Sequence, residues 1–205
     1  HVVRRAVVGV AAGTLPGAGV RSMLVVEPKV DRVEGMIADA GVNAGDVEVL
    51  VCSRDVMERA VGMRLLQGSF AAVEPSAAPT LDEVVGDAHG LKSARPAGGK
   101  TIVVWPEITN TENLGLLVRV CAGLGVGAMV LGPRCCDPWY RRAVRVSMGA
   151  VFAMPMVRSV DLEADLDRLR ETHGYELVAT VIDDDAETLR DSQPFSGDCG
   201  VGSRT

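Results

Sequence analysis

Residues 101–131 read TIVVWPEITNTENLGLLVRVCAGLGVGAMVL and contain one complete strand–helix–strand unit. The apolar, β-rich runs at 101–105 and 127–131 are predicted to be strands, and the segment at 113–124 is predicted to be a helix. Two strands that are joined through a helix lie parallel in one sheet. The stretch therefore predicts an α/β fold with a parallel sheet.

The same alternation continues toward the carboxyl end of the chain. Further strands are predicted at 151–157 and 176–182, and further helices at 138–148 and 162–172. In parallel sheets, ligands bind beyond the carboxyl ends of the strands. The loops expected to bind a ligand are therefore 106–112, 132–137 and 183–185.

The amino-terminal half alternates in the same way on a smaller scale. Helices are predicted at 2–12, 30–40 and 54–61, and strands at 20–26, 47–52 and 67–73. Proline and glycine are frequent from 75 to 100, which predicts a linker that includes a short helix at 81–87. The expected organisation is a small α/β domain at 1–74, a linker at 75–100 and a second α/β domain at 101–205.

Composition excludes several classes of protein. The chain has 205 residues, of which 47% are hydrophobic and 23% charged, as in a globular protein and unlike a disordered chain, a collagen or a coiled coil. Its longest apolar run is shorter than the roughly 18 residues that a membrane helix needs, so no membrane association is expected. The five cysteines form no C-x-x-C pair and the histidines number only three, so the sequence predicts no metal site and a reducing, cytoplasmic location.

Charge is distributed unevenly along a chain whose net charge is -6. The segment 113–158 contains six arginines and a single acidic residue, whereas 161–198 contains twelve acidic residues and three arginines. A basic block in an acidic protein indicates a local anion site, for which phosphate is the usual ligand. The same block is also compatible with arginines that only solvate a helix.

The arginines of the second predicted helix are spaced so that they can bind phosphate together. Arg141 and Arg145 lie four residues apart on one helical face, with Arg142 beside them, and Arg134 belongs to the preceding loop. Converging guanidinium groups form a fork that matches phosphate oxygens.

The start of the helix at 113–124 also carries unusual residues. Asn110 is placed to cap the helix, and Gly115 in the first turn indicates that something packs very closely against it. Arg119 follows Asn113 by six residues, which places the two on different sides of the helix axis. Local geometry alone therefore favours a cap and a surface arginine, and a shared site requires a ligand that reaches around the helix start.

Taken together, the spaced positions of this region resemble the SpoU-type RNA methyltransferases of the SPOUT superfamily. The resemblance covers about residues 101 to 190 and is carried by Asn110-x-x-Asn113-Leu114-Gly115-x-x-x-Arg119, Gly123-x-Gly125-Val126, Cys136-Asp137-Pro138-x-x-Arg141-Arg142-x-x-x-Arg145-x-Ser147-x-Gly149 and Pro155. The amino-terminal half, with Gln67-Gly68-x-x-Ala71, resembles more weakly the small ribosomal-protein-like domain that binds substrate RNA in such enzymes.

The resemblance implies a fold, a reaction and partners. It implies a Rossmann-like SPOUT domain, S-adenosylmethionine as cofactor, and transfer of its methyl group to a ribose 2′-hydroxyl of rRNA or tRNA. Asn113 and Arg119 match the family's first active-site motif and are the expected catalytic residues. The expected RNA-binding residues are Arg134, Arg141, Arg142 and Arg145. Family members work as homodimers, and a dimer can bring Asn113 and Arg119 to one RNA from different directions.

The last residues depart from the family pattern. Family members continue with a loop bearing glycine and glutamate and a segment with serine and asparagine, which form the knot that holds the cofactor. Residues 195–205, FSGDCGVGSRT, match neither, which predicts an incomplete domain and leaves the cofactor-binding residues unassigned. The alternatives are an RNA-binding module without catalysis, an inactive fragment of such an enzyme and, as a third option, a nucleotide-binding enzyme that lacks the glycine fingerprint.

Overall fold

A computed structural model of the chain describes residues 2–11, 19–62, 64, 68–74, 78–85, 101–182 and 199–203. The chain forms two compact units, His1–Ala77 and Ala78–Thr205. Within the described residues, no helix is both long and apolar enough to cross a lipid bilayer.

The first unit is a three-stranded sheet with helices on both faces. Its elements are α1 (Val2–Ala11), β1 (Val20–Val26), α2 (Val30–Asp39), β2 (Glu48–Cys52), α3 (Arg54–Val61) and β3 (Ser69–Val73). The strand order is β2-β1-β3, with β2 parallel and β3 antiparallel to β1. Alternate residues of β1 point to opposite faces. Val25 packs with Val7 and Ile37 of α1 and α2, whereas Val26 packs with Met57 of α3. The α/β fold predicted for the amino-terminal half is confirmed.

The second unit is a five-stranded parallel sheet. Its elements are α4 (Leu81–Val85), β4 (Ile102–Trp105), α5 (Thr111–Gly123), β5 (Ala128–Leu131), α6 (Arg141–Val146), β6 (Met156–Arg158), α7 (Leu162–Glu171), β7 (Glu176–Thr180) and β8 (Cys199–Ser203). The strand order is β6-β5-β4-β8-β7, and every pairing is parallel. The parallel α/β fold predicted from the alternation is confirmed.

The two faces of this sheet have different neighbours. Val104, Val130 and Val157 form one buried cluster with Leu169 of α7 and with the apolar residues of α4. Because crossover connections are right-handed, the helices that link β4, β5 and β6 lie on the opposite face from α7. The helices α5 and α6 therefore share one face, where they pack against each other.

Two predicted boundaries differ from the structure. Residues 81–85 lie within the segment predicted as a linker, yet Leu81, Val84 and Val85 are buried in the core of the second unit. The strand predicted at 151–157 begins only at Met156, because the preceding amides bond within tight turns, with Phe152 N donating to Gly149 O and Ala153 N to Ala150 O.

Two further elements were misplaced or missed. The helix predicted at 138–148 is limited to Arg141–Val146, because the Asp137 side chain accepts from the Trp139 amide and holds the preceding residues in a turn. No helix or strand is predicted for 195–205, but Cys199–Ser203 is the strand that lies between β4 and β7.

An ion cluster joins α4 to α7. The Asp82 carboxylate accepts from Arg168 and lies 3.0 Å from Nε2 of His173. The hydrogen bond with His173, together with the charge of Arg168, lowers the pKa of Asp82. These contacts hold α4 in place over the core of the second unit, against which its apolar residues pack.

Candidate functional site

Two of the predicted ligand-binding loops meet at the carboxyl ends of β4 and β5. The Gly132 amide donates to Trp105 O at 2.8 Å, and the Cys136 amide donates to Ile108 O at 2.7 Å. A Cβ atom built on Gly132 would lie 2.9 Å from the carbonyl carbon of Pro106 and closer still to its oxygen. Loops 106–112 and 132–137 are thus held against each other, while loop 183–185 lies outside the described residues.

The close approach predicted at Gly115 is confirmed. A Cβ atom at this position would lie 2.7 Å from Ala143 O and 3.0 Å from the Val146 Cβ. The missing side chain lets α6 lie directly on the first turns of α5. The arginines of α6 are therefore carried to the amino-terminal end of α5.

The helix start itself is ordered by Asn110. Its side-chain oxygen accepts from the amides of Glu112 and Asn113, at 2.8 and 3.3 Å, as predicted for a cap. Asn113 lies in the first turn and is exposed, and Arg119 is exposed on the following turns. Neither side chain has a hydrogen-bond or ion-pair partner among the described residues, so both are available to a ligand.

Two of the four predicted RNA-binding arginines are paired with acidic residues of the neighbouring loop. Arg142 contacts Oε1 of Glu112 through two nitrogens, at 2.6 and 2.7 Å, and Arg134 contacts Glu107 at 2.7 Å. Both arginine side chains remain more than 60% exposed. Exposed ion pairs of this kind contribute at most about 1 kcal/mol, so a phosphate can displace the carboxylate from either one.

The other two arginines face away from the helix contact. Ala143 is buried against α5, and Arg141 and Arg145 lie on the opposite side of α6, exposed and without a charged partner in the described part of the chain. The four arginines therefore form two pairs: Arg134 and Arg142 border the loop junction, and Arg141 and Arg145 line the outer face of α6.

Sequence reasoning assigned no role to Arg158, which organises loop 132–137. Its guanidinium donates to the carbonyl oxygens of Cys135, Cys136 and Pro133. The strand register sets Arg158 beside Leu131, the residue that precedes this loop. One cation thus binds three carbonyl groups and fixes the path of the loop that carries Arg134. The available sequence signal was only an arginine at the end of an apolar run.

The cysteines near the loops are not arranged for metal binding or nucleophilic attack. Burial raises the pKa of the Cys135 thiol and that of Cys121, so both stay protonated near neutral pH. The Cys135 thiol donates to Trp105 O at 3.2 Å. In the described ranges, no cluster of three His, Cys, Asp or Glu residues could hold a metal ion.

Comparison with known proteins agrees with this geometry. Residues 100–199 match the sequence model of the SpoU rRNA Methylase family. An uncharacterized tRNA/rRNA methyltransferase of Mycobacterium bovis is 40% identical over 127 residues, which are 62% of this chain and 40% of that protein. A 23S rRNA (guanosine-2'-O-)-methyltransferase of Acinetobacter baylyi is 24% identical over 155 residues, which are 76% of this chain and 60% of the relative.

Solved structures show the same fold. The AdoMet-bound rRNA methyltransferase from Sinorhizobium meliloti superimposes with a TM-score of 0.70 at 21% identity, covering 96% of this chain and 66% of that one. The chain spans about two fifths of the length of the mycobacterial relative. Residues 100–199, just under half of this chain, therefore resemble the SpoU rRNA Methylase family in sequence, and they contribute strands to a parallel sheet like that of the solved methyltransferase.

Proposed function

We propose that this chain takes part in methylating a ribose 2′-hydroxyl of rRNA or tRNA, with S-adenosylmethionine as the methyl donor. The observation that carries the proposal is the junction of loops 106–112 and 132–137 at the carboxyl ends of β4 and β5, where Arg142 pairs with Glu112, the residue beside Asn113, in a segment that matches the SpoU family model. The AdoMet-bound relative and the 2'-O-methyltransferase relative support the choice of cofactor and reaction.

The carboxyl edge of the sheet has polar atoms that fit a polar cofactor. Nε1 of Trp105 and Oγ of Ser159 are buried and have no hydrogen-bond partner among the described residues. Trp105 ends β4, and Ser159 directly follows β6. Buried polar atoms without partners are uncommon in proteins, so these two are places where a ligand or another part of the chain can bind.

The proposed roles of the catalytic residues follow from their chemistry. When bound, S-adenosylmethionine supplies an electrophilic methyl group. The ribose oxygen would bond to that carbon, the electron pair of the broken carbon–sulfur bond would stay on sulfur, and the hydroxyl proton would pass to solvent water. In this proposal the Asn113 amide hydrogen-bonds the ribose, and Arg119 holds the adjacent phosphate and so orients the hydroxyl. A guanidinium keeps its proton in proteins, which favours this clamp over a role as base.

Methyl transfer and its site can be measured directly. We expect saturable binding of S-adenosylmethionine by calorimetry, and transfer of a labelled methyl group to RNA. The methylated ribose is read as a gap in an alkaline cleavage ladder, because the modified hydroxyl no longer attacks its phosphate. RNA binding without donor binding would instead identify a non-catalytic RNA-binding module.

We also propose that the chain works as a homodimer through α5. Leu116 and Val120 of this helix and Leu124, its C-cap residue, are spaced four residues apart, and each exposes about half or more of its surface. Three large apolar residues in one exposed stripe are typical of an interface. A second copy would bury this stripe and bring two Arg119 side chains near each other.

Replacing Val120 by aspartate tests the dimer. We expect the dimer dissociation constant to rise by at least about tenfold, because an unpaired charge in an apolar interface costs well over 1.4 kcal/mol. Sedimentation equilibrium measures the change. Val160→Asp is the matched control, since Val160 is 90% exposed outside the stripe. Equal dissociation constants for the two variants would contradict the assignment of α5 to the interface.

The amino-terminal unit and the location of the protein complete the proposal. The α/β/α unit at His1–Ala77 is proposed to bind substrate RNA, which the resemblance of its sequence supports. A cytoplasmic location is supported by the free thiols of Cys52, Cys121, Cys135 and Cys136.

A further inference from the structure

An exposed aromatic pair lies directly before α6. Trp139 is 38% exposed and Tyr140 is 58% exposed, and they are adjacent in the chain. The whole sequence contains only two tryptophans, two tyrosines and three phenylalanines. Two of these seven aromatic side chains therefore lie together at the surface, next to the candidate site. Packing in the core does not account for their presence there.

The tryptophan is held in place rather than freely rotating. Its ring lies 5.9 Å from that of Phe152, with 35° between the planes, and Phe152 is itself buried. The Trp139 amide donates to the Asp137 side chain at 2.9 Å, which fixes the backbone of the turn. A preordered ring loses little conformational entropy when a ligand binds to it.

The surroundings of this pair are basic. Arg141 directly follows Tyr140, Arg145 lies one helical turn further on the same face, and both are exposed without a charged partner among the described residues. On the neighbouring side, Arg142 contacts Glu112, the residue next to Asn113. Aromatic rings beside unpaired guanidinium groups match the chemistry of an unpaired nucleotide, which offers a flat base and a charged phosphate.

We propose that Trp139 and Tyr140 stack an unpaired base of the RNA whose phosphates contact Arg141 and Arg145. The inference rests on the proposed function for the choice of RNA as partner, and it adds the base-binding site and a preference for single-stranded over duplex substrate. The ion pair between Arg142 and Glu112 joins the start of α6, which directly follows Trp139 and Tyr140, to the helix start that bears Asn113. The stacked base therefore belongs to the nucleotides that flank the methylated ribose.

The test compares RNA binding by the full chain and by Trp139→Leu, without methyl donor. The ligands are a labelled, unstructured RNA of about ten nucleotides and a duplex of the same length. Leucine keeps an apolar contact with Phe152 but has no π face. We expect Trp139→Leu to weaken single-strand binding roughly tenfold and to leave duplex binding unchanged, and Trp139→Phe to retain most of the affinity. Single-stranded RNA should also quench tryptophan emission in the wild type more than in Trp139→Phe.

Further variants separate stacking from effects on folding. Tyr140→Ser changes a side chain that is more than half exposed, and it should weaken single-strand binding severalfold while the circular dichroism spectrum is unchanged. Val160→Ala, at a residue 90% exposed, is the neutral control. The proposal is overturned if Trp139→Leu weakens single-strand and duplex binding equally, leaves both unchanged, or alters the oligomeric state instead, which would indicate a protein contact.

The outcome is independent of whether the chain transfers methyl groups. Single-strand binding that depends on Trp139, in a chain that does not bind S-adenosylmethionine, would support the base-binding site and contradict the methyltransferase. If Trp139→Leu leaves donor binding, methyl transfer and RNA affinity unchanged, the result would support the methyltransferase and contradict the base-binding site. Absence of RNA binding by the wild-type chain would overturn both.

Discussion

Gly132→Ala will destabilise the second unit by about 2–3 kcal/mol, as expected when an added methyl group meets atoms that cannot move aside. The new Cβ would lie 2.9 Å from the carbonyl carbon of Pro106 and 3.1 Å from its Cα, with the carbonyl oxygen nearer still. All three are backbone atoms, so relief requires that β4 and β5 or the loops after them separate. The same movement would break the hydrogen bond between the Gly132 amide and Trp105 O.

Urea denaturation followed by tryptophan fluorescence measures this effect on the correct unit, because both tryptophans, Trp105 and Trp139, lie in the second unit. Gly127→Ala is the matched control. Its Cβ would lie 3.5 Å from Thr101 O, an ordinary contact at the opposite end of the same strand pair. We expect the control to change the free energy of unfolding by less than about 0.5 kcal/mol. Equal unfolding midpoints for the two variants would show that the loop junction is looser than described.

The two close approaches differ in how far the sequence predicted them. Gly115 lies inside a helix, where glycine lowers helix stability by about 1 kcal/mol relative to alanine. Its presence therefore already indicates that another part of the protein packs closely against it. Gly132 follows a strand, where glycine is common in turns, and nothing local distinguishes it. Its importance comes from Pro106, which is distant in sequence and adjacent only after β4 and β5 pair.

Elements with strong periodic patterns were predicted well, and those that depend on neighbours were not. The five residues of β8, Cys199–Ser203, include two glycines and have weak intrinsic strand preference. They form a strand because β4 and β7 offer unpaired edges on either side. The apolar residues at 151–157 match the pattern of a buried strand. Ala150–Phe152 instead form a 3-10 turn, and a buried turn removes apolar side chains from water as well as a strand does.

In the candidate site, too, local features could be predicted from the sequence and contacts between distant residues could not. The residue types were apparent from the sequence, since arginines spaced along one helix and a capped helix start are local patterns. Their partners were not, because Arg142 and Glu112 are thirty residues apart and meet only through the packing of α6 on Gly115. The role of Arg158 depends on its register beside Leu131, which no local pattern specifies.

Arg119→Ala is expected to lower methyl transfer by about 100-fold, because in the proposed mechanism the target ribose loses the group that orients it. Asn113→Ala should have an effect of similar size. Arg170→Ala is the matched control, since this arginine is also exposed but pairs with Asp167 and Glu171 on α7, away from the loops. Single-turnover rates with saturating RNA measure the effect on the chemical step, and equal rates for Arg119→Ala and the control would remove Arg119 from the site.

Arg119→Lys then distinguishes the two roles that this arginine can have. If it clamps a phosphate, lysine keeps the charge but loses the two-point contact, so RNA affinity falls while the pH–rate profile keeps its shape. Arg119→Ala should in addition reduce the slope of log affinity against log salt by about 0.7 to 0.9, the contribution of one phosphate contact. If it is the base instead, Arg119→Lys shifts the pH–rate profile, and the salt slope stays that of the wild type. The exposed position of Arg119 on α5 favours the clamp, because an exposed guanidinium can contact an RNA phosphate and guanidinium groups keep their proton in proteins.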